Sequence, residues 1–169
     1  MDIPASLASA LVIDPMADMD RGEVPVVDTL LESTLDSVDD AETSALKVAE
    51  ELGFGEDEVH KIGMAVRESM VNAVVHGNRY SARKKVHLKI SRAPDHLTIA
   101  IQDEGQGFEF SAVPNPLSEE NLLRQSGRGL LLVQAFVDKL EVTRRDPGGT
   151  EVKMVKYLDK PMNRLQEGL

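Results

Sequence analysis

The sequence predicts an α/β fold in which helices pack on an antiparallel or mixed β-sheet. Apolar residues recur at helical spacing in two segments before residue 78. Two segments after residue 85 instead alternate apolar and polar residues, as half-buried strands do. The elements follow in the order β-α-α-β-β-loop-α-β-β without an internal repeat, which predicts a single two-layer α/β sandwich.

Composition limits the size of the core and the classes of partner. A chain of 169 residues, 41% of them apolar, has room for one hydrophobic core. Its formal net charge of −10 disfavours direct binding to nucleic acid. The basic cluster at Arg79, Arg83, Lys84 and Lys85 is a local exception, which we interpret as a solvated turn before a strand.

The sequence also argues against several cellular locations and site types. It contains no cysteine, so neither disulfides nor thiolate metal sites are expected. No apolar run approaches the roughly 20 residues of a membrane helix, and Asp2 follows Met1 where a signal peptide would be basic. We therefore expect a cytoplasmic protein without a membrane anchor.

The first third of the chain predicts an extension, one strand and one helix. Residues 1–26 contain three prolines and several acidic residues, which is typical of an extension outside the folded core. A strand is predicted over about residues 26–31. Ser37 is placed to cap the helix that follows, and Gly53 and Gly55 are placed to end it.

The second helix, over about residues 57–77, has two distinct sides. One side is an apolar stripe that faces the predicted core. Glu68 and Asn72 lie four residues apart on the other side, and His76 continues their row. Apolar residues flank that row, so an acid and an amide among them indicate a lined pocket rather than a plain solvated face.

The remaining elements complete the sandwich. They are strands over 86–90 and 97–102, an irregular segment over 109–125, a buried helix over 130–137, strands over 140–144 and 150–157 joined by a turn at 146–149, and a tail over 159–169. An irregular segment of this length is typical of a functional lid or of a disordered loop.

The end of the second strand in the central hairpin has the composition of a base-binding turn. Asp103 is followed by Gly105 and Gly107. A carboxylate at a strand end can accept the exocyclic amine of adenine, and glycines let the backbone pass close to a flat base. A simple tight turn would have the same composition, so this segment alone leaves both interpretations open.

Two further segments supply groups suited to phosphates and metal. Gly127 and Gly129 open the predicted buried helix, where free backbone N–H groups favour anions, although a plain turn remains the alternative. The Asn72 amide oxygen is a sensible Mg²⁺ ligand, and the Glu68 carboxylate could take a proton from a group attacking the γ-phosphate. For an isolated pair, a surface glutamate and a satisfied asparagine would be the more common interpretation.

Four segments in order carry a more specific signal than any one alone: Glu68–Gly77, Asp103–Phe108, Ser126–Leu130 and Gly148–Thr150. Together they resemble the N, G1 and G2 boxes of the GHKL superfamily of ATP-binding proteins. Over about residues 27–158 the chain looks most like the bacterial anti-sigma factor serine-protein kinases. The resemblance implies the Bergerat fold, with helices on one face of the sheet and ATP or ADP with Mg²⁺ between the two layers.

The resemblance also implies a role for each matched residue. It gives Glu68 as the catalytic base, Asn72 as the metal ligand, and Asp103 as the adenine acceptor, supported by the Thr150 hydroxyl. The remaining nucleotide-binding positions that it implies are Gly105, Gly107, Gly127, Arg128, Gly129 and Leu130. Asn78 stands where many relatives carry an aromatic residue, a departure expected to matter little for the chemistry.

The implied activity is phosphorylation of an anti-sigma-factor antagonist, a STAS-domain protein, by a kinase that also sequesters a sigma factor. Such proteins form homodimers, so a homodimer is expected here. The alternative is a nucleotide-gated protein-binding module of the same fold without phosphotransfer. The presence of both Glu68 and Asn72 favours the kinase.

Overall fold

The structure is a computed structural model that describes residues 22–105 and 129–158. Residues 1–21 of the predicted extension, the tail over 159–169 and all of residues 106–128, which include the predicted lid and Gly127 of the phosphate-binding turn, lie outside the described residues. Every structural statement below concerns the described part of the chain.

Five strands form one antiparallel sheet in the order β1-β2-β3-β5-β4. Their bounds are Val24–Glu32 (β1), Lys85–Ala93 (β2), His96–Gln102 (β3), Lys139–Arg144 (β4) and Thr150–Tyr157 (β5). The predicted antiparallel or mixed sheet is thus antiparallel throughout. β1 begins at Val24, so the sheet includes three residues that the sequence analysis assigns to the extension, and a bulge lies between Pro25 and Val27.

The helices are Leu35–Leu52 (α1), Glu56–Val71 (α2) and Gly129–Phe136 (α3). α2 continues directly into a six-residue π-helix, Asn72–Gly77. The sequence analysis treats residues 57–77 as one regular helix. A π-helix has a wider turn than an α-helix, and such turns occur frequently at functional sites.

The cap of α1 differs from the prediction. Thr34, not Ser37, is the N-cap residue, and its hydroxyl oxygen accepts a hydrogen bond from the Ser37 backbone N–H at 3.3 Å. Ser37 is buried in the first turn of the helix. Gly53 ends α1 with a φ of 107°, as predicted, whereas Gly55 begins α2 rather than helping to end α1.

The core lies between the sheet and the helices. Alternate residues of β2 and β3 are buried against apolar side chains of α1 and α2, which confirms the predicted two-layer α/β arrangement. Ile62, Val66 and Met70 of α2 are at most 1% exposed, so this helix is firmly seated on the sheet. At roughly 25 cal/mol per Å² of buried apolar area, such contacts are the main source of stability.

The predicted buried helix over 130–137 is buried on one side only. Leu130 and Val133 are buried, but Leu132 is 40% exposed and Gln134 and Ala135 are exposed. Only one side of the helix packs on α2, so fewer of its residues are buried than its apolar sequence predicts. Among the described residues, every helix is too short or too polar to cross a bilayer.

Candidate functional site

Asp103 lies at the end of β3 and is fixed by the neighbouring strand. Its Oδ1 atom accepts hydrogen bonds from the backbone N–H groups of Gly105, at 2.9 Å, and Thr150, at 3.2 Å. The Asp103 backbone N–H donates to the Thr150 carbonyl oxygen at 2.9 Å. The side chain is buried at 6% exposure, and Oδ2 receives no hydrogen bond from the described residues. One carboxylate oxygen is therefore held in place while the other remains available as an acceptor.

Glycines surround this carboxylate where side chains would collide with it. A Cβ atom on Gly77 would lie 2.5 Å from Asp103 Cγ. A Cβ on Gly105 would overlap the Gly77 carbonyl, and one on Gly149 would overlap the Asp103 carbonyl oxygen. The end of the π-helix, the segment after β3 and the β4–β5 turn therefore meet backbone to backbone.

Burial raises the pKa of Asp103 above its ordinary value, because the charged form loses hydration. The N–H groups of Gly105 and Thr150 oppose this rise, as do the nearby charges of Arg145 and Lys84. Arg145 Nη1 also donates to the Asp103 carbonyl oxygen at 2.7 Å. Sequence reasoning missed Arg145, because nothing in the pattern before the β4–β5 turn distinguishes it from a solvated arginine.

Thr150 supports Asp103, although by a different group from the one that the resemblance implies. Its backbone N–H and carbonyl make both contacts with Asp103. Any residue other than proline could supply these two bonds. The buried Thr150 side chain, at 5% exposure, is therefore left for a separate contact.

Glu68 and Asn72 lie together at the other end of the site, where α2 becomes the π-helix. A Cβ atom added to Gly129, in α3, would lie 3.0 Å from Glu68 Oε1 and 3.4 Å from Asn72 Nδ2. α3 thus approaches the pair closely, as the sequence analysis expects for the Gly129 segment. Asn72 Nδ2 is buried and has no hydrogen-bond partner among the described residues.

An unpartnered buried donor is costly, so the Asn72 Nδ2 atom is suited to an acceptor that the described residues do not supply. Within the described residues no three acidic or histidine side chains cluster as a metal site. Mg²⁺ characteristically takes few protein ligands and keeps water and phosphate oxygens, so a single amide beside a carboxylate fits Mg²⁺ carried by a nucleotide.

Asn78 is the most consequential residue that the sequence analysis underrated. It is 1% exposed and follows the π-helix directly. Its Oδ1 atom accepts the Glu104 backbone N–H at 2.7 Å, and its Nδ2 atom donates to Ser33 Oγ and the Lys85 carbonyl. Its position directly after the first matched segment, Glu68–Gly77, was the available signal.

The structure thus forms two groups of predicted residues. Asp103, Gly105 and Thr150 lie together at the strand ends, and Glu68, Asn72 and Gly129 lie together at the helix ends. Leu130 is buried directly after Gly129. Gly107, Gly127 and Arg128 lie outside the described residues, so their predicted roles stay predictions.

Comparison with known proteins agrees with this geometry. Residues 31–156 match the family described as "Histidine kinase-like ATPase domain". The chain belongs to this family.

Relatives of the chain identify the branch of the family to which it is similar. The anti-sigma F factor of Oceanobacillus iheyensis is 32% identical over 106 residues, which cover 62% of this chain and 73% of that protein. The serine-protein kinase RsbW of Bacillus subtilis is 29% identical over 118 residues, covering 66% and 72%. These relatives confirm the predicted resemblance to anti-sigma factor serine-protein kinases.

Solved structures confirm the fold. The RsbU and RsbW domains of a Mycobacterium tuberculosis protein superpose with a TM-score of 0.59 at 19% identity, covering 82% of this chain and 33% of that one. A chain of the SiaB–SiaC complex from Pseudomonas aeruginosa gives a TM-score of 0.60 at 11% identity, covering 89% and 99%.

Proposed function

We propose that this protein is an ATP-dependent serine-protein kinase that phosphorylates an anti-sigma-factor antagonist with a STAS domain and, in a second state, holds a sigma factor. The observation that carries the proposal is the pairing of two sites on one helix. Glu68 and Asn72 lie where α2 becomes the π-helix, and Gly77 at the end of the π-helix lies against the Asp103 carboxylate. Similarity to an anti-sigma F factor and to RsbW kinases supports the same activity.

Asp103 is proposed as the acceptor for the exocyclic amine of adenine, through its free Oδ2 atom. Gly105 keeps the backbone beside it in close contact with Gly77. Leu130 is proposed to pack near the nucleotide from α3, and Gly107, Gly127, Arg128 and Gly129 to line the base and phosphates. The folded domain that carries these residues is proposed to span 27–158, which the family match over 31–156 supports.

Bound ATP with Mg²⁺ would supply the transferable phosphoryl group and the charge that neutralises it. Asn72 is proposed to hold the metal through its amide oxygen, while its unpartnered Nδ2 atom is suited to donate to a phosphate oxygen of the nucleotide. Glu68, one helical turn earlier, is proposed to accept the proton of the attacking serine hydroxyl. Both side chains are half-buried beside Gly129, where water is partly excluded.

The decisive experiment uses γ-labelled ATP, the purified chain and a STAS-domain protein from the same organism. Label should appear on a serine or threonine of the STAS-domain protein. Glu68→Gln should reduce the transfer by about two to four orders of magnitude while ADP affinity is kept. Asn72→Ala should lose the Mg²⁺-dependent part of nucleotide binding as well.

Glu56→Gln is the matched control, because Glu56 is exposed in the first turn of the same helix and far in sequence from the pair. Its transfer rate should equal that of the wild type. A wild-type protein that binds ATP and the STAS-domain protein without transferring label would overturn the kinase and favour the nucleotide-gated binding module.

We further propose that the protein acts in the cytoplasm, because a sigma factor acts there.

We also propose that the protein is a homodimer. The side of the sheet away from the helices exposes Leu30 at 64% and Tyr157 at 38%. A hollow of about 600 Å³ lies on this side, lined in part by Thr98, Lys153 and Tyr157. Sedimentation velocity should report a dimer that Leu30→Glu weakens, and a monomeric wild type would contradict the proposal.

A further inference from the structure

Asn78 belongs to a closed ring of hydrogen bonds behind the Asp103 carboxylate. Its Nδ2 atom donates to the Lys85 carbonyl at 3.1 Å, and the Lys85 backbone N–H donates to Glu104 Oε2 at 2.8 Å. The Glu104 backbone N–H then donates to Asn78 Oδ1 at 2.7 Å. The ring joins the residue after the π-helix, the first residue of β2 and the residue after Asp103.

The surroundings of Asn78 leave its amide only one orientation. Oδ1 faces a backbone N–H group, and Nδ2 faces the Lys85 carbonyl and, at 2.9 Å, the Ser33 hydroxyl oxygen. The Ser33 hydroxyl has its own acceptor, the Lys84 carbonyl, at 2.5 Å. Exchanging the amide oxygen and nitrogen would set donor against donor and acceptor against acceptor. A side chain without both an acceptor and a donor at this position therefore cannot complete the ring.

The two segments that the ring joins, the helix before Asn78 and the segment of Glu104 and Gly105, depend on the ring to different degrees. The helix side is anchored by fully buried residues, since Met70 and Val74 have no exposed surface. On the other side, Glu104 follows Asp103, is exposed, and has its backbone N–H bonded to Asn78, while Gly105 is bonded to Asp103 Oδ1. Loss of the ring should therefore displace this segment, and Asp103 with it, and leave the helix in place.

We propose that Asn78 is a positioning residue that sets selectivity for adenine by fixing the segment next to Asp103. The inference rests on the proposed nucleotide binding at Asp103. Guanine presents a carbonyl oxygen where adenine presents its exocyclic amine, so a carboxylate that is rigidly held repels it. A site built around one hydrogen-bonding group discriminates strongly only while that group keeps its place.

The experiment measures dissociation constants for ADP and GDP by calorimetry, and steady-state phosphotransfer with ATP. In Asn78→Ala, ADP should bind about 10–100-fold more weakly, because displacement of a binding group by about 1 Å can cost that much. GDP affinity should change little, so the preference for ADP over GDP should fall at least about tenfold. KM for ATP should rise while kcat at saturating ATP stays within about threefold, since Glu68 and Asn72 keep their places.

Val48→Ala is the matched control, because Val48 is 6% exposed in α1 and belongs to the core rather than to the ring. It should lower Tm and leave the ADP to GDP preference unchanged. Glu104→Ala removes the acceptor of the Lys85 N–H from an exposed side chain, so it tests the ring even if Asn78→Ala fails to fold. The preference of Glu104→Ala for ADP over GDP should also fall, but by a smaller factor than that of Asn78→Ala.

An unchanged ADP to GDP preference in Asn78→Ala, with a Tm lowered as in Val48→Ala, would overturn the inference and leave Asn78 a purely structural residue. If Asn78→Ala does not fold, an unchanged preference in Glu104→Ala would overturn it. A wild-type protein that fails to prefer ADP would instead overturn the proposed adenine site itself, so the two failures are told apart in the first titration.

Discussion

The carboxyl group of Asp103 lies against Gly77, so that a Cβ atom on Gly77 would come within 2.6 Å of Asp103 Oδ2. Oδ2 is the oxygen proposed to accept adenine. We expect Gly77→Ala to displace the carboxylate and weaken ADP binding by at least about tenfold, measured by calorimetry. Gly55→Ala is the control, because a Cβ there meets nothing within 4 Å. Equal ADP affinity in the two variants would show that the contact does not matter for binding.

Replacing Asp103 by Asn should change affinity and stability in opposite directions. The pKa of Asp103 is raised mainly by burial, so its favourable contribution to stability is present below its ordinary pKa of 3.8 and is lost as pH rises through the raised pKa. At neutral pH an amide avoids the cost of burying the charge, and Tm should be equal or higher. ADP should bind about 1–3 kcal/mol more weakly, as expected for a lost charge-assisted hydrogen bond. A lower Tm with intact ADP affinity would contradict both expectations.

His96 should make stability depend on pH near neutrality. Burial lowers its pKa, but hydrogen bonds from the ring to Glu23, at 2.8 Å, and Asp95, at 2.7 Å, outweigh burial and raise it above 6.5. The stabilisation is therefore present below pH 6.5 and lost as pH rises through the raised pKa. His96→Gln should lower Tm at mildly acidic pH and have less effect at alkaline pH. His60→Gln, at an exposed position, is the control, and a Tm loss in His96→Gln that is the same at every pH would rule the mechanism out.

The Thr34 cap should contribute measurably to α1. Its hydroxyl oxygen is the only side-chain acceptor that the described residues show for the Ser37 backbone N–H. Thr34→Ala should lower the free energy of unfolding by about 0.5–2 kcal/mol in urea denaturation, whereas Thr34→Ser should keep most of it. If the two variants lose the same amount, the hydroxyl is not what caps the helix.

The sequence was sufficient to predict the order of elements and the strand bounds to within three residues, because alternation and turn residues are local signals. The β4–β5 turn at 146–149 and the start of β5 at Thr150 illustrate this. The cap at Thr34 was missed because Thr34 and Ser37 are both good capping residues and only the backbone geometry separates them. The one-sided burial of α3 was missed because an apolar helix carries no sign of which side its neighbours leave uncovered.

The residues of the candidate site also fall into those that the sequence indicated and those that it did not. Asp103 and Glu68 were singled out from residue type and spacing, and their roles stay predictions. Asn78 and Arg145 were not found, because their partners are backbone groups distant in sequence. The π-helix was not predicted either, because the spacing of apolar residues over 72–77 does not differ recognisably from that of an α-helix.

The two outer strands of the sheet also bear on how copies of the protein can associate. β1 carries Pro25, which has no N–H to offer, and a bulge beside it, while β4 exposes the charged Lys139, Glu141 and Arg144. Proline, bulges and charges are features by which natural sheets avoid strand-by-strand growth at their margins. Both margins of the described sheet therefore carry features that oppose the growth of one continuous sheet through neighbouring copies of the protein.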